Sequence, residues 1–122
     1  SYETIIVAAE GPVTTITLNR PERLNACPPQ MADEIRDALA EPGEARAFLI
    51  TGAGRAFCSG ADLAARGARS VTGGRGAYDS LSQSYNPLIL HMAQCPVPIV
   101  SAVNGPAAGI GCSIALAAEF VL

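Results

Sequence analysis

The chain has 122 residues, of which 49% are hydrophobic and 16% charged, and its formal net charge is −3. This length and composition fit one globular domain with a core that needs no disulfide staples. All eight basic residues are arginine, which excludes the lysine of a Walker A phosphate loop and a lysine Schiff base. The acidic balance and low aromatic content argue against a nucleic-acid surface, and no apolar run reaches the ~20 residues of a membrane span.

Few residues of the chain suit metal binding or nucleophilic chemistry. The single histidine, His91, excludes a His-x-x-x-His metal pair, and the four cysteines stand far apart without a Cys-x-x-Cys pair. We therefore predict no metal site, reduced thiols and a cytoplasmic protein. His91 lies in an apolar helical pattern that favours a structural role. Cys58 and Cys112 have no neighbouring Lys or His to activate a thiol, which favours packing.

The first forty residues predict a hairpin followed by a helix. β-branched and apolar residues from 2 to 7 and from 13 to 18 flank the turn signal Glu10-Gly11-Pro12, which indicates a β-hairpin. Pro28-Pro29 then suits a helix start. The apolar positions of this helix are three to four residues apart: Met31, Ile35 and Leu39.

The middle of the chain continues this alternation. Residues 45–51 predict a buried strand, and residues 55–58 a second strand-like stretch. A helix start is predicted at 61–66, and the Gly, Ser and Arg-rich residues 67–76 predict a mobile loop. Apolar spacing over 78–94 indicates a long helix that Pro87 bends or restarts.

The last third predicts a strand at 96–103, a helix at 109–118 and a strand at 119–122. Strands and helices that alternate along a chain favour an α/β fold with mostly parallel strands. A final apolar strand would be an unusual ending, so we expect the sequence to be the N-terminal portion of a longer domain.

Two segments of small residues, 57–63 and 104–112, follow strands and open helices. Small residues let a ligand approach the backbone, and unpaired N–H groups at a helix start attract negative charge. Each segment could bind an anion or an oxyanion, or be only a tight connection. A serine nucleophile at Ser59 would need glycines that its flanking positions lack. The arginines that follow are either solvated or contact phosphates of a ligand: Arg66, Arg69 and Arg75.

Taken together and in order, three segments resemble the enoyl-CoA hydratase/isomerase (crotonase) family. They read RPERLNA at 20–26, LITGAGRAFCSGADL at 49–63 and PVPIVSAVNGPAAGIGCSIALAAEFVL at 96–122. The resemblance implies an α/β fold that is a spiral of ββα units, with residues 1–122 as the N-terminal part of a single domain lacking its C-terminal helices. It also implies acyl-CoA or enoyl-CoA substrates, no cofactor besides the CoA of the substrate, and a homotrimer or dimer of trimers.

The resemblance also implies site residues. Family members stabilise a thioester enolate oxygen with two backbone N–H donors, which correspond here to Ala61 and Ile110. Further residues are expected along the CoA path and around the thioester: Arg23, Leu24, Ala26, Asp62, Leu63 and Gly109. For Asp62, capping or orienting the helix that follows is favoured over direct catalysis.

Ser113 is a departure from the family pattern, since hydratases carry a glutamate at this position. An unassisted serine hydroxyl is too weak a base to deprotonate water. We therefore expect an enzyme that is more isomerase-like than a two-glutamate hydratase, with its general base beyond Leu122. The alternative is a catalytically inactive crotonase-fold binding or assembly subunit, which would turn over neither crotonyl-CoA nor a 3-enoyl-CoA.

Overall fold

The computed structural model describes residues 2–62 and 81–122. In these residues five strands form one sheet, in the order in which they occur along the chain. The strands are β1 (Ile5–Glu10), β2 (Val13–Leu18), β3 (Ala47–Gly52), β4 (Ile99–Ser101) and β5 (Phe120–Val121). β1 and β2 pair as an antiparallel hairpin, and every later neighbour pair is parallel. The predicted α/β class is therefore confirmed.

In the described part of the chain, three α-helices connect the strands. They are α1 (Pro29–Leu39), α2 (Asn86–Gln94), which follows a π-helical turn at Leu81–Tyr85, and α3 (Ile110–Ala117). Pro87 lies in the first turn of α2, so it helps to start a helix rather than bending one. Among residues 2–62 and 81–122, no helix has both the length and the apolar composition to cross a membrane.

The core lies between one face of the sheet and the helices. Ile50 of β3 is in register with Ile16 of β2 and Ser101 of β4, and all three are buried. Side chains on alternate strand positions share a face, so these residues define the covered side of the sheet. The predicted apolar positions of α1 pack against it, with Met31, Ile35 and Leu39 buried.

The first strand begins three residues later than predicted. Residues 3 and 4 turn towards α1 instead, where the Glu34 carboxylate accepts hydrogen bonds from the Thr4 N–H (2.9 Å), the Thr4 hydroxyl (2.6 Å) and the Glu3 N–H (3.2 Å). The Gln30 amide donates a fourth bond over 3.1 Å. Burial opposes ionisation of Glu34, but these hydrogen bonds outweigh it, so the pKa of Glu34 lies below its ordinary value.

The prediction of a strand at residues 55–58 is wrong. Only Cys58 forms a bridge there, with Ala107, while the carbonyl of Ala56 accepts side-chain amides instead of strand partners. β4 is shorter than predicted because Pro96 and Pro98 have no N–H to give to a ladder. The predicted helix start at 61–66 lies largely, and the loop at 67–76 wholly, outside the described residues.

Candidate active site

Three chain segments meet at one edge of the sheet. Residues 19–27 follow β2, residues 53–62 follow β3 and residues 102–109 follow β4. Because β2, β3 and β4 are parallel, their carboxyl ends lie at the same edge, where α/β proteins commonly bind ligands. All candidate site residues within the described ranges, except Ile110 and Ser113 of α3, belong to these segments.

The first two segments are joined by main-chain hydrogen bonds. Ser59 N–H donates to the Leu24 carbonyl over 3.1 Å, and Cys27 N–H to the Gly60 carbonyl over 2.7 Å. Asp62 N–H donates back to the Cys27 carbonyl over 2.8 Å. Ala61 therefore lies between Gly60 and Asp62, which are both hydrogen-bonded to the main chain of Cys27. Since the Gly60–Ala61 peptide is trans, its N–H points away from the Cys27 backbone that holds its carbonyl.

The second and third segments are joined in the same way. The N–H groups of Phe57 and Cys58 donate to the Pro106 carbonyl over 3.1 and 3.2 Å, and Ala108 N–H donates to the Cys58 carbonyl over 3.1 Å. These bonds bring Gly109 beside Gly60. A Cβ placed on Gly109 would lie 3.8 Å from the Gly60 Cα. The two candidate donors thus belong to adjoining stretches of backbone.

Glycine is required at several of these positions. Gly60 and Gly109 have φ values of +140° and +55°, which other residues rarely adopt. Gly111 is restricted by space, because a Cβ there would lie 2.7 Å from the Cys58 Cβ and would clash with the Cys58 carbonyl oxygen. The first turn of α3 therefore packs directly on the backbone at Cys58.

Both candidate N–H donors point to no acceptor within residues 2–62 and 81–122. Ile110 is the first residue of α3, so its N–H is one that the helix itself cannot satisfy. The helix N-terminus adds a partial positive charge. Ala61 is exposed and Ile110 is half-buried, so neither residue is sealed within the core. The arrangement can receive a negatively charged oxygen atom.

Asn25 holds the first segment to the turn after β3, a role that sequence reasoning missed. It is buried, and its Nδ2 donates to the carbonyls of Ala53 and Ala56, over 2.9 Å each. Its Oδ1 accepts from Arg20 N–H over 2.7 Å. Leu24 and Asn25 have φ values of +52° and +56°, which is strained for leucine.

Asn104 is the second asparagine that sequence reasoning missed. Its Nδ2 donates to the carbonyls of Gly54 and Ala56, over 3.0 and 3.2 Å, and its Oδ1 accepts from Gly52 N–H over 3.1 Å. It therefore connects the segment after β4 to the same turn. The only sequence signal was a polar residue in a turn, which does not identify these partners.

Arg20 joins two segments through a single nitrogen. Its Nη1 donates to the Ala26 carbonyl over 2.7 Å and to Asp62 Oδ2 over 2.9 Å. The Arg20 and Asp62 side chains are 19% and 11% exposed, so the ion pair is largely shielded from water. Whether Asp62 also caps a following helix concerns residues outside the described part of the chain.

The other predicted site residues lie around this centre. Arg23 is exposed at the end of a 3₁₀ turn, Pro21–Arg23, while Leu24 and Ala26 are half-buried. Ser113 is exposed on α3, one turn beyond Ile110 and on the same side of the helix. Leu63 lies outside the described residues.

Cys27 and Cys58 are buried, and their thiols donate to the carbonyls of Pro28 and Gly60, over 3.5 and 3.8 Å. The neighbouring Cys58 thiol, together with burial, raises the pKa of the Cys27 thiol well above its ordinary value. Packing is therefore the role of Cys58, as predicted. The predicted packing role is wrong for Cys112, because this residue is exposed.

The mixed sheet and its loop cluster define a crotonase fold, as solved structures show. An enoyl-CoA hydratase/isomerase from Xanthobacter autotrophicus Py2 superposes with a TM-score of 0.83 and 34% identity, over 99% of this chain and 46% of that one. An enoyl-CoA hydratase from Bacillus anthracis gives a TM-score of 0.85 and 29% identity, over 98% of this chain and 46% of that one.

The family is shown by sequence. The profile of the enoyl-CoA hydratase/isomerase family matches residues 8–122, and the chain belongs to that family. A Rhodobacter capsulatus protein named "Probable enoyl-CoA hydratase" is 44% identical over 100% of this chain and 46% of its own length. The 1,2-epoxyphenylacetyl-CoA isomerase of Escherichia coli is 39% identical over 98% of this chain and 47% of its own. The chain thus spans about half the length of these curated relatives.

Proposed function

We propose that this chain supplies the thioester end of an acyl-CoA active site, with the Ala61 and Ile110 N–H groups as the oxyanion hole. The observation that carries the proposal is the close approach of Gly109 to Gly60, where an added Cβ on Gly109 would lie 3.8 Å from the Gly60 Cα, so the two donors belong to adjoining stretches of backbone. When a proton leaves the carbon next to a thioester, the electron pair moves onto the carbonyl oxygen. Fixed N–H donors stabilise that charge most where it develops.

The proton must be moved by a base, and the described acidic residue closest to the donors is already engaged. Asp62 is paired with Arg20, and Ser113 offers only a hydroxyl. In line with the family resemblance, we expect the base to be a carboxylate from beyond Leu122. A single carboxylate suffices to shift a double bond, because it can take a proton at one carbon and return it at another.

Isomerase-like chemistry is accordingly preferred over two-glutamate hydration. Ser113 supports this preference, because water addition needs a group that orients and deprotonates water. We expect Arg23, Leu24 and Ala26 to line the CoA path, where the exposed guanidinium of Arg23 suits a phosphate. No metal is needed. The trimeric assembly and cytoplasmic location remain predictions.

Turnover of two thioesters by the full-length protein tests this function. We expect conversion of a 3-enoyl-CoA to the 2-enoyl isomer, and slower hydration of crotonyl-CoA. Calorimetric binding of a saturated acyl-CoA serves as the control for an intact site. Binding without turnover of either substrate would instead identify an inactive binding or assembly subunit.

A further inference from the structure

Arg20 occupies an unusual position relative to the candidate donor Ala61. Two main-chain bonds flank Ala61, from Cys27 N–H to the Gly60 carbonyl and from Asp62 N–H to the Cys27 carbonyl. The Arg20 guanidinium adds the neighbouring contacts on both segments, to the Ala26 carbonyl and to the Asp62 carboxylate. Around Ala61, the two segments are therefore joined by these two main-chain bonds and by the Arg20 side chain.

The Arg20 main chain, from which the guanidinium extends, is itself held in place. Arg20 N–H donates to Asn25 Oδ1 over 2.7 Å, and the Arg20 carbonyl accepts from Asn25 N–H over 2.8 Å. Both main-chain groups of Arg20 are thus fixed by one buried residue. A side chain on a fixed backbone loses less conformational entropy when it forms a contact, so the Arg20 interaction with Asp62 is more favourable.

The charges matter as well as the geometry. Bonds between a guanidinium and a carboxylate are stronger than neutral ones, and loss of one partner leaves a shielded, uncompensated charge. Asp62 is adjacent to Ala61, so an unpaired carboxylate there would repel the negative charge that develops on the thioester oxygen. Arg20 compensates this charge while it holds the Asp62 side chain, whose main-chain N–H donates to the Cys27 carbonyl.

We propose that Arg20 is a positioning residue that acts through Asp62 to aim the Ala61 N–H at the thioester oxygen. This inference rests on the proposed oxyanion hole. Arg20 touches no reacting atom, so its loss lowers kcat and leaves acyl-CoA affinity nearly unchanged. A shift of about 1 Å in a catalytic group can cost ~10²-fold in rate, and we expect a fall of ~10- to 100-fold.

The test compares Arg20→Met, Arg20→Lys and a charge-matched control, Arg46→Met, in the full-length protein. Arg46 is exposed just before β3, at the opposite end of that strand from the site. Since one Arg20 nitrogen makes both bonds, a lysine ammonium can replace it, so Arg20→Lys should recover much of the rate. Arg46→Met should match the unmodified protein.

The decisive readout is the infrared stretch of a bound acyl-CoA that carries an isotope label at the thioester carbonyl. Donors aimed at the oxygen lower this frequency, and turnover is not required. We expect the lowering in the unmodified protein, most of it with Arg20→Lys and less than half with Arg20→Met. An unchanged frequency and kcat in Arg20→Met, even with a lower Tm, would show that Arg20 only stabilises the fold and overturn the inference.

Two further outcomes are informative. If the unmodified protein binds the acyl-CoA without any lowering of the frequency, the proposed oxyanion hole is wrong and this inference falls with it. If Arg20→Met does not fold, Asp62→Ala replaces it, because alanine removes the carboxylate through which Arg20 acts. A frequency in Asp62→Ala equal to that of the unmodified protein would overturn the inference, and a smaller lowering would support it.

Discussion

The side-chain amides of Asn25 and Asn104 donate to the same acceptor, the carbonyl oxygen of Ala56, over 2.9 and 3.2 Å. One asparagine follows β2 and the other follows β4, while Ala56 follows β3 between them. Three strand ends are thereby tied at one atom. Ala56 precedes Ala61 in the segment that follows β3, so these hydrogen bonds position the start of the loop that carries Ala61.

Replacement of Asn25 by alanine should be strongly destabilising. Asn25→Ala removes three hydrogen bonds at a buried position and places alanine at a φ of +56°. Unsatisfied buried groups cost roughly 1–3 kcal/mol each, so we expect a loss of ~2–4 kcal/mol in unfolding free energy. Denaturant titration of the full-length protein measures it. Asn104→Ala is the matched control, and its exposed site should cost about 1 kcal/mol. Equal losses would contradict this account.

Two substitutions of Ile110 separate its N–H from its side chain. Ile110→Pro removes the donor, and proline is tolerated at the first position of a helix, where Ile110 lies. Loss of one oxyanion donor ordinarily lowers kcat by ~10²–10³-fold. Ile110→Ala keeps the N–H and should alter mainly acyl selectivity. Steady-state kinetics at matched Tm decide the matter, and equal losses in both variants would exclude the backbone role.

The position of Ser113 on α3 predicts a gain of activity. Ser113→Glu places a carboxylate one turn beyond Ile110, where it can assist water. Acid or base groups typically contribute ~10²–10⁴-fold, and we expect crotonyl-CoA hydration to rise at least ~10-fold. Ser113→Ala is the control and should give no rise. Unchanged hydration in Ser113→Glu, with thioester binding intact, would argue against this position as an acid site.

Stability should depend on pH through Glu34. The folded-state pKa of Glu34 lies below its ordinary value of 4.5, so the stabilisation is complete above that value and disappears as the pH falls through the folded pKa. Glu34→Gln should therefore be less stable than the unmodified protein at pH 7 and nearly equal to it at low pH. Unfolding free energies measured between pH 7 and the acid limit test this. A difference that is independent of pH would refute the role of the charge.

Local patterns predicted most of the fold. The hairpin, the apolar positions of α1 and the parallel strands could be predicted from hydrophobic periodicity. An element that buries one face repeats its apolar residues at a fixed spacing. The first strand was misplaced because Glu34 binds Thr4 from across the structure. Residues 55–58 predicted a strand because Ala56, Phe57 and Cys58 are apolar, but these three residues are buried within a loop and only Cys58 forms a bridge.

The candidate site was predicted only through its glycines and the family resemblance. Gly60 and Gly109 are recognisable because the backbone there needs a positive φ. Arg20, Asn25 and Asn104 could not be found in the same way. Their partners are carbonyls on segments distant in sequence, and the identity of a side chain does not specify which carbonyl it binds.

The order of folding events follows from the main-chain hydrogen bonds that hold the site together. Bonds from Cys27 to Gly60 and from Cys58 to Pro106 link segments that are separated by entire strands and helices. Contacts between residues distant in sequence form late, since the intervening chain must first lose its freedom. During refolding, helical circular dichroism should therefore return before acyl-CoA binding does. The chemistry of this fold would then be the last property that the chain acquires and the first that it loses.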